Sequence, residues 1–369
     1  MRIVHFAESW GGGIETYLKS LIAAEIDDPR FCEIVLLTPE TGEKPFAGRA
    51  DLWTGKLSHR TYPFKRSPLG LIKGLFAARR ALIELNPDLL YLHCTFPGLM
   101  GRLAKLTSSL SMPIAYIPHG WAFQQDRGAV INRLFGLVER LLAPLSELTI
   151  HISHAEYFAA RRMGVKAKRD VIIQNGVRDV ETPPQTASGP DDGPLRLGFV
   201  GRFDRQKGVH VLLEAFTATP RTDMILELIG WSYLGDAKLH AVDTDDRITV
   251  IGRVAPDKID AAFRSFDCLI VPSRFEGFGL VVAEAMRNGC PVIVSDRQAL
   301  PFLVIPGFNG EIFTYPHPDT LTEILMRLDR PTLKRWGMNA RRVFENTYND
   351  AHMVEVTHSE LLKLLKSPN

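Results

Sequence analysis

The chain has 369 residues, 45% of them hydrophobic, enough for two cores of ordinary domain size. A formal charge of +2 with 23% charged residues excludes the basic field of a nucleic-acid binder and the bias of a disordered chain. The charge is unevenly divided, +6 over residues 1–177 and −4 over the rest. Much of the excess lies in Arg60, Lys65, Arg66, Lys73, Arg79 and Arg80 and in Arg161, Arg162, Lys166, Lys168 and Arg169. Solvated helix faces account for most such residues; the alternative is a surface that leans on anionic lipid head groups or an anionic acceptor.

Short β-branched runs alternate with stretches of helical period, the pattern of βαβ units on a parallel sheet. Strands are predicted at 2–7, 33–38, 88–93, 114–118, 147–152 and 170–174, with helices near 13–24, 68–85, 129–143 and 154–162. The first strand begins at Arg2, with no leader-like segment before it, and no apolar run approaches the ~20 residues of a spanning helix. The expected location is cytoplasmic, with peripheral membrane contact open. Cys32, Cys94, Cys268 and Cys290 lie among apolar neighbours without metal-ligand spacing and read as buried thiols of a reducing compartment.

Proline and glycine crowd residues 178–194, which read as a linker. The pattern then repeats, with strands at 195–200, 224–229, 247–252, 268–272, 291–295 and 311–313 and helices near 207–217, 256–265 and 279–288. The final 40 residues are helical in pattern and start no further βαβ unit. The expected architecture is two doubly wound, Rossmann-like α/β domains facing across a cleft. Residues 1–177 form the first domain and 195–345 the second, with 346–369 a C-terminal helix free to cross back to the first.

Ligands of open α/β sheets sit beyond the carboxyl ends of strands, so the loops there carry the chemistry. After the first strand, Gly11, Gly12 and Gly13 let backbone approach a ligand and aim helix N–H groups at an anion, although a tight turn alone explains them too. Their spacing is not the dinucleotide fingerprint, which argues against a nicotinamide oxidoreductase. After the first strand of the second half, Arg202, Arg205 and Lys207 surround a turn into a helix, suited to a pyrophosphate or merely solvent-exposed. In Pro272-Ser-Arg-Phe-Glu276-Gly-Phe-Gly, a glycine-rich loop carries one carboxylate and the following helix a second, Glu284. Such carboxylates are costly to desolvate without a hydroxyl or cation partner. His119 stands in Ile-Pro-His-Gly after a strand; His93 holds a similar place, but packing explains it better. Asp243-Thr-Asp245 mimics a metal-binding D-x-D yet precedes its strand, so it reads as a solvated turn.

Residues 272–296, with Arg202 and Lys207, resemble the retaining nucleotide-sugar glycosyltransferases of family 4, which have the GT-B fold. Asn175-Gly-Val, Gly201-Arg with a following Lys-Gly, and Gly289-Cys-Pro-Val-Ile-Val-Ser-Asp extend the resemblance over nearly the whole chain. It implies that His119 lies against the donor sugar, Glu276 holds sugar hydroxyls, and Arg202 and Lys207 neutralise the pyrophosphate. Gly277, Phe278, Gly279 and Leu280 would line the donor, with N–H groups from Phe278 and Gly279, and Glu284 would bind the ribose. The implied donor is a nucleotide diphosphate sugar, UDP- or GDP-linked, used without a metal or other cofactor. The implied acceptor is a glycan or lipid-linked sugar of the cell envelope. Where relatives carry Gly-Gly and then Glu after the last long strand, this chain has Arg297-Gln-Ala-Leu-Pro-Phe, which leaves the donor's identity open. Trp10, Phe96, Trp121 and Phe123 suit sugar stacking or packing. The competing readings are a sugar-nucleotide 2-epimerase on the same scaffold and a non-catalytic sugar-nucleotide binder.

Overall fold

The computed structural model describes residues 1–8, 10–40, 45–46, 55–125, 127–184, 186–231 and 245–366. The chain divides into two compact units, Met1–Asn175 with Asp350–Asn369, and Gly176–Asn349.

The first unit carries a seven-stranded parallel sheet ordered β3-β2-β1-β4-β5-β6-β7. Its strands are β1 (Arg2–Ala7), β2 (Glu33–Pro39), β3 (Leu57–Tyr62), β4 (Leu89–His93), β5 (Ile114–Ile117), β6 (Leu148–His151) and β7 (Asp170–Ile172). Helices α1 (Gly12–Asp27), α2 (Pro68–Leu85), α3 (Thr95–Leu106), α4 (Ala129–Leu142) and α5 (His154–Arg162) connect them. Val4, Phe6, Val35, Leu37, Leu90 and Leu92 alternate onto one face and pack with Ala78, Leu82, Met100 and Ala104 of α2 and α3. Strand direction of growth reverses between β1 and β4, which is where ligands of such sheets bind. The last helix, α11 (Asp350–Lys366), lies against α1, where Ser20 Oγ donates to Asp350 at 2.6 Å.

Two elements of this unit escape the sequence pattern. β3 is an edge strand of polar character, Leu-Ser-His-Arg-Thr-Tyr. α3 contains Pro97, Gly98 and Gly101, ordinarily breakers; here a side chain at Gly98 would meet the Tyr116 ring at 2.6 Å and one at Gly101 would meet Leu92 at 2.4 Å. Close packing of helix on sheet, not helical propensity, selects those glycines.

The second unit repeats the plan with the order β10-β9-β8-β11-β12-β13, all parallel. Its strands are β8 (Leu195–Val200), β9 (Met224–Ile229), β10 (Ile248–Gly252), β11 (Cys268–Val271), β12 (Val292–Ser295) and β13 (Gly310–Phe313). Its helices are α6 (Val209–Thr217), α7 (Ile259–Ser265), α8 (Leu280–Arg287), α9 (Pro318–Met326) and α10 (Arg330–Val343). Leu197, Phe199, Leu226, Leu228 and Ile270 build its core with Leu212, Phe216 and Leu321. The predicted linker 178–194 is part of this unit. Ser188 N donates to Gly289 O at 3.0 Å, Gly189 N to Arg264 O at 2.9 Å, and Asp179 accepts both terminal nitrogens of Arg341 at 2.7 Å. Proline and glycine here shape a strap, and the chain passes between units at 175/176 and 349/350.

Cys94, Cys268 and Cys290 are buried as read from their neighbours, but Cys32, the residue before β2, is exposed. Asp243 and Thr244 of the D-x-D lie outside the described residues; Asp245 pairs with Arg247 at 2.7 Å.

Candidate functional site

In the second unit the loops after β8 and β11 meet at the reversal point of the sheet. Asp204 Oδ1 accepts from Lys207 N at 2.8 Å, closing the turn before α6. Gly208 has a left-handed backbone (φ 70°), and a side chain there would fall 1.9 Å from Pro272 O, so only glycine lets the turn press against the end of β11. Arg274 N donates to Gln206 O at 2.8 Å across the same junction.

That junction brings the predicted cations and one predicted carboxylate together. Lys207 Nζ lies 2.6 Å from Glu276 Oε1, which also accepts from Ser273 Oγ at 2.9 Å. Arg202 lies 3.3 Å from Asp204 and donates to Gln206 Oε1 at 3.1 Å; Arg205 is exposed on the turn. The loop then passes through Gly277 and the buried Phe278, whose ring meets Tyr348 edge-on at 5.7 Å, into Gly279 (φ 99°), which precedes Leu280 at the start of α8. Among the described residues the N–H groups of Gly277, Phe278, Gly279 and Leu280 have no acceptor, the last two because a helix leaves its N-cap and first-turn donors unpaired and the first two because they lie in the loop that leads into it. They form an anion-ready rim.

Glu284 stands one turn into α8, half-buried, and among the described residues its carboxylate has no hydrogen bond or ion pair. Burial raises its pKa above the ordinary carboxylate value and Asp260 adds to the rise, while Arg287 and Lys207 oppose it. A carboxylate in that state lacks donors, which a vicinal diol supplies.

In the first unit, α1 starts at Gly12, after Gly11 (φ 151°); Gly12 (φ 59°) and Gly13 are exposed, and side chains at Gly11 or Gly12 would meet nothing within 4 Å. His119 follows β5 with a left-handed backbone (φ 51°), a sparsely populated state for a non-glycine residue. Glu156 holds the turn: its buried carboxylate accepts from Gly120 N and, at 3.0 Å, from Ile152 N, and its desolvation raises its pKa to about 8. Burial drives the His119 imidazole down to about 3 and that of His93 well below the usual value, so both are neutral at physiological pH. His93, read from sequence as packing, stacks on His119 with Nδ1 3.1 Å from its Nε2.

The aromatic candidates for stacking are mostly packing residues. Trp121 is fully buried and stacks on the buried Phe123 at 5.1 Å, and Trp10 is buried against Phe46 at 4.6 Å. Phe96, partly exposed, packs on Phe64 at 5.4 Å.

Two family models match in succession, "Glycosyltransferase Family 4" over residues 11–180 and "Glycosyl transferases group 1" over residues 184–343. The chain belongs to this glycosyltransferase family. A relative in Klebsiella pneumoniae, described as an uncharacterized 41.2 kDa protein in the cps region, is 26% identical over 96% of this chain and 97% of its own. Among solved structures, the lipopolysaccharide outer core galactosyltransferase WaaB superposes with a TM-score of 0.77 at 21% identity, covering 98% of this chain and all of that one. HepE of Anabaena in complex with UDP-glucose superposes with a TM-score of 0.79 at 20% identity, covering 98% and 100%. These likenesses establish the two-domain fold of the transferase. Its matched segments contain each of the loops described above.

Proposed function

We propose that the transferase moves a sugar from a UDP- or GDP-sugar to a glycan or lipid-linked acceptor of the cell envelope, with retention of anomeric configuration and without a metal ion. The observation that carries this reading is the half-buried Glu284, unpartnered among the described residues, one helical turn from the N–H rim and beside the Lys207–Glu276 pair. Ribose hydroxyls would satisfy Glu284, the pyrophosphate would face Arg202, Lys207 and the N-terminus of α8, and Glu276 would hold sugar hydroxyls. Cations and helix N–H groups fixed where charge develops stabilise the departing diphosphate. For stereochemistry, we propose attack by the acceptor on the face the diphosphate leaves, with the leaving phosphate taking the acceptor's proton. His119 would contact the transferred sugar. The solved relatives supply the chemistry class: one structure holds UDP-glucose and another protein is named for a lipopolysaccharide core.

We further propose that the first unit rests on an anionic membrane surface through α4. This helix exposes Val130, Ile131, Leu134, Leu137 and Leu141 beside Arg133 and Arg140, and its one acid, Glu139, is buried. Apolar side chains flanked by cations and free of exposed acids suit an interfacial helix. The basic residues singled out in the sequence contribute less, because Arg66 pairs with Glu8, Arg80 with Glu84, Arg161 with Asp170 and Lys168 with Glu147. No helix among the described residues is long and apolar enough to cross a membrane.

A thermal-shift screen of uridine, guanosine and adenosine diphosphates and their sugars tests the donor site, because a ligand of the folded state raises the melting temperature. One responding nucleotide fixes the base, and no response to any of them removes the reading.

A further inference from the structure

Parallel strands covered on both faces are ordinarily apolar along their length. β1 and β4 depart from this on the face covered by α1 and α11, where His5, His93 and Glu25 are all fully buried. The register brings them together: His5 sits opposite Tyr91, and His93, two residues along β4, shares its face. His5 and His93 stack at 5.4 Å, and His93 and His119 stack at the same separation. A continuous ladder of hydrogen bonds runs through the stack. Glu25 Oε2 lies 2.7 Å from His5 Nε2, His5 Nδ1 3.2 Å from His93 Nε2, and His93 Nδ1 3.1 Å from His119 Nε2. Burying so many polar groups costs stability unless every link is made, and local rules are broken in this way mostly at functional sites.

Counting protons gives the ladder a direction. A carboxylate only accepts, and a neutral imidazole has one donor and one acceptor nitrogen. Three links need three N–H groups; with Glu25 ionised and His5 uncharged like His93 and His119, the three imidazoles supply one each. Starting from the Glu25 carboxylate, His5 donates from Nε2, so its Nδ1 accepts. His93 therefore donates from Nε2 and accepts at Nδ1, and His119 donates from Nε2. Its Nδ1 is left with a lone pair and, among the described residues, no hydrogen-bond partner. Other groups hold the ring in place. The Tyr17 ring meets it edge-on at 5.0 Å, and the Tyr17 hydroxyl is tied to that of Tyr91 at 2.6 Å.

We propose that Glu25, His5 and His93 are positioning residues that fix the proton of His119 on Nε2 and present Nδ1 as a hydrogen-bond acceptor to a hydroxyl of the donor sugar. This deepens the proposed function and rests on its placing His119 at that sugar. The ladder acts through His119 alone, so it bears on the sugar step and not on nucleotide capture, which the second unit performs.

The test is long-range proton–nitrogen NMR of the full-length protein labelled with ¹⁵N-histidine, at neutral pH, with His119 assigned by its loss in His119→Ala. The expected spectrum shows His119 as the Nε2–H tautomer. In Glu25→Gln, whose amide donates as readily as it accepts, an Nδ1–H population should appear at His119. There kcat should fall roughly tenfold or more with KM for the nucleotide sugar little changed. A wild-type His119 that is Nδ1–H or doubly protonated overturns the ladder, and that spectrum decides even if Glu25→Gln fails to fold. An unaltered tautomer in folded Glu25→Gln overturns it as well. Full activity in His119→Ala overturns the functional reading of His119, whereas a wrong tautomer with low activity in that variant overturns the ladder alone.

Discussion

Replacing Glu284 with glutamine should push stability and binding in opposite directions. The carboxylate is half-buried without a partner among the described residues, and burial raises its pKa. The folded chain therefore holds this proton more tightly than the unfolded chain does. The resulting stability is fully present below the unfolded pKa and is lost as pH rises through the raised folded pKa. At neutral pH the ionised group is a net cost, of about 1 kcal/mol for a partly compensated burial. Glu284→Gln keeps the shape and removes the charge, so the ligand-free second unit should melt about 2–4 °C higher, as expected for that energy in a domain of this size. The gain should shrink in mildly acidic buffer, where the wild-type carboxyl is itself protonated. Hydrogen bonds to a charged acceptor contribute about 1.5–3 kcal/mol, so nucleotide diphosphate affinity should drop about 10- to 100-fold. Scanning calorimetry and titration calorimetry read the two effects separately. A variant that melts lower without ligand and binds with wild-type affinity would refute the reasoning.

Lys207→Ala removes a cation from the proposed path of developing charge, and kcat should fall about 10²- to 10³-fold; a loss under threefold in steady-state assays would remove Lys207 from catalysis. Arg102→Met leaves Glu139 buried without the guanidinium now 2.7 Å away, so urea denaturation should show a loss of about 3–5 kcal/mol. A smaller loss would mean that Tyr116, which donates to Glu139 at 3.0 Å, suffices to hold α4 against α3. Leu134→Glu with Leu137→Glu should abolish co-sedimentation with anionic vesicles while leaving nucleotide binding intact; retained sedimentation would remove α4 as the docking face.

The double βαβ plan was legible because β-branched runs such as Arg2–Ala7 and Leu195–Val200 are strands with the same bounds as their sequence pattern. What stayed hidden depended on partners distant in sequence. Gly98 and Gly101 look like helix breakers until Tyr116 and Leu92 are seen to fill the space a side chain would take. The strap 178–194 reads as a free linker until Asp179 is seen to hold Arg341, 162 positions away. In the site, Lys207, Glu276 and the Gly277–Leu280 turn lie in two short motifs, so their proximity followed once both were placed at strand ends. The histidine ladder did not follow. Its signal was available, a histidine in each of two otherwise apolar strands, but only the β1–β4 register turns His5 and His93 toward one another.

The most direct test of the donor site is a crystal structure of the transferase soaked with the nucleotide diphosphate that raises its melting temperature. We predict the ribose hydroxyls on Glu284 and the pyrophosphate against Arg202, Lys207 and the N-terminus of α8. A nucleotide bound elsewhere, with Glu284 still unpartnered, would contradict the assignment.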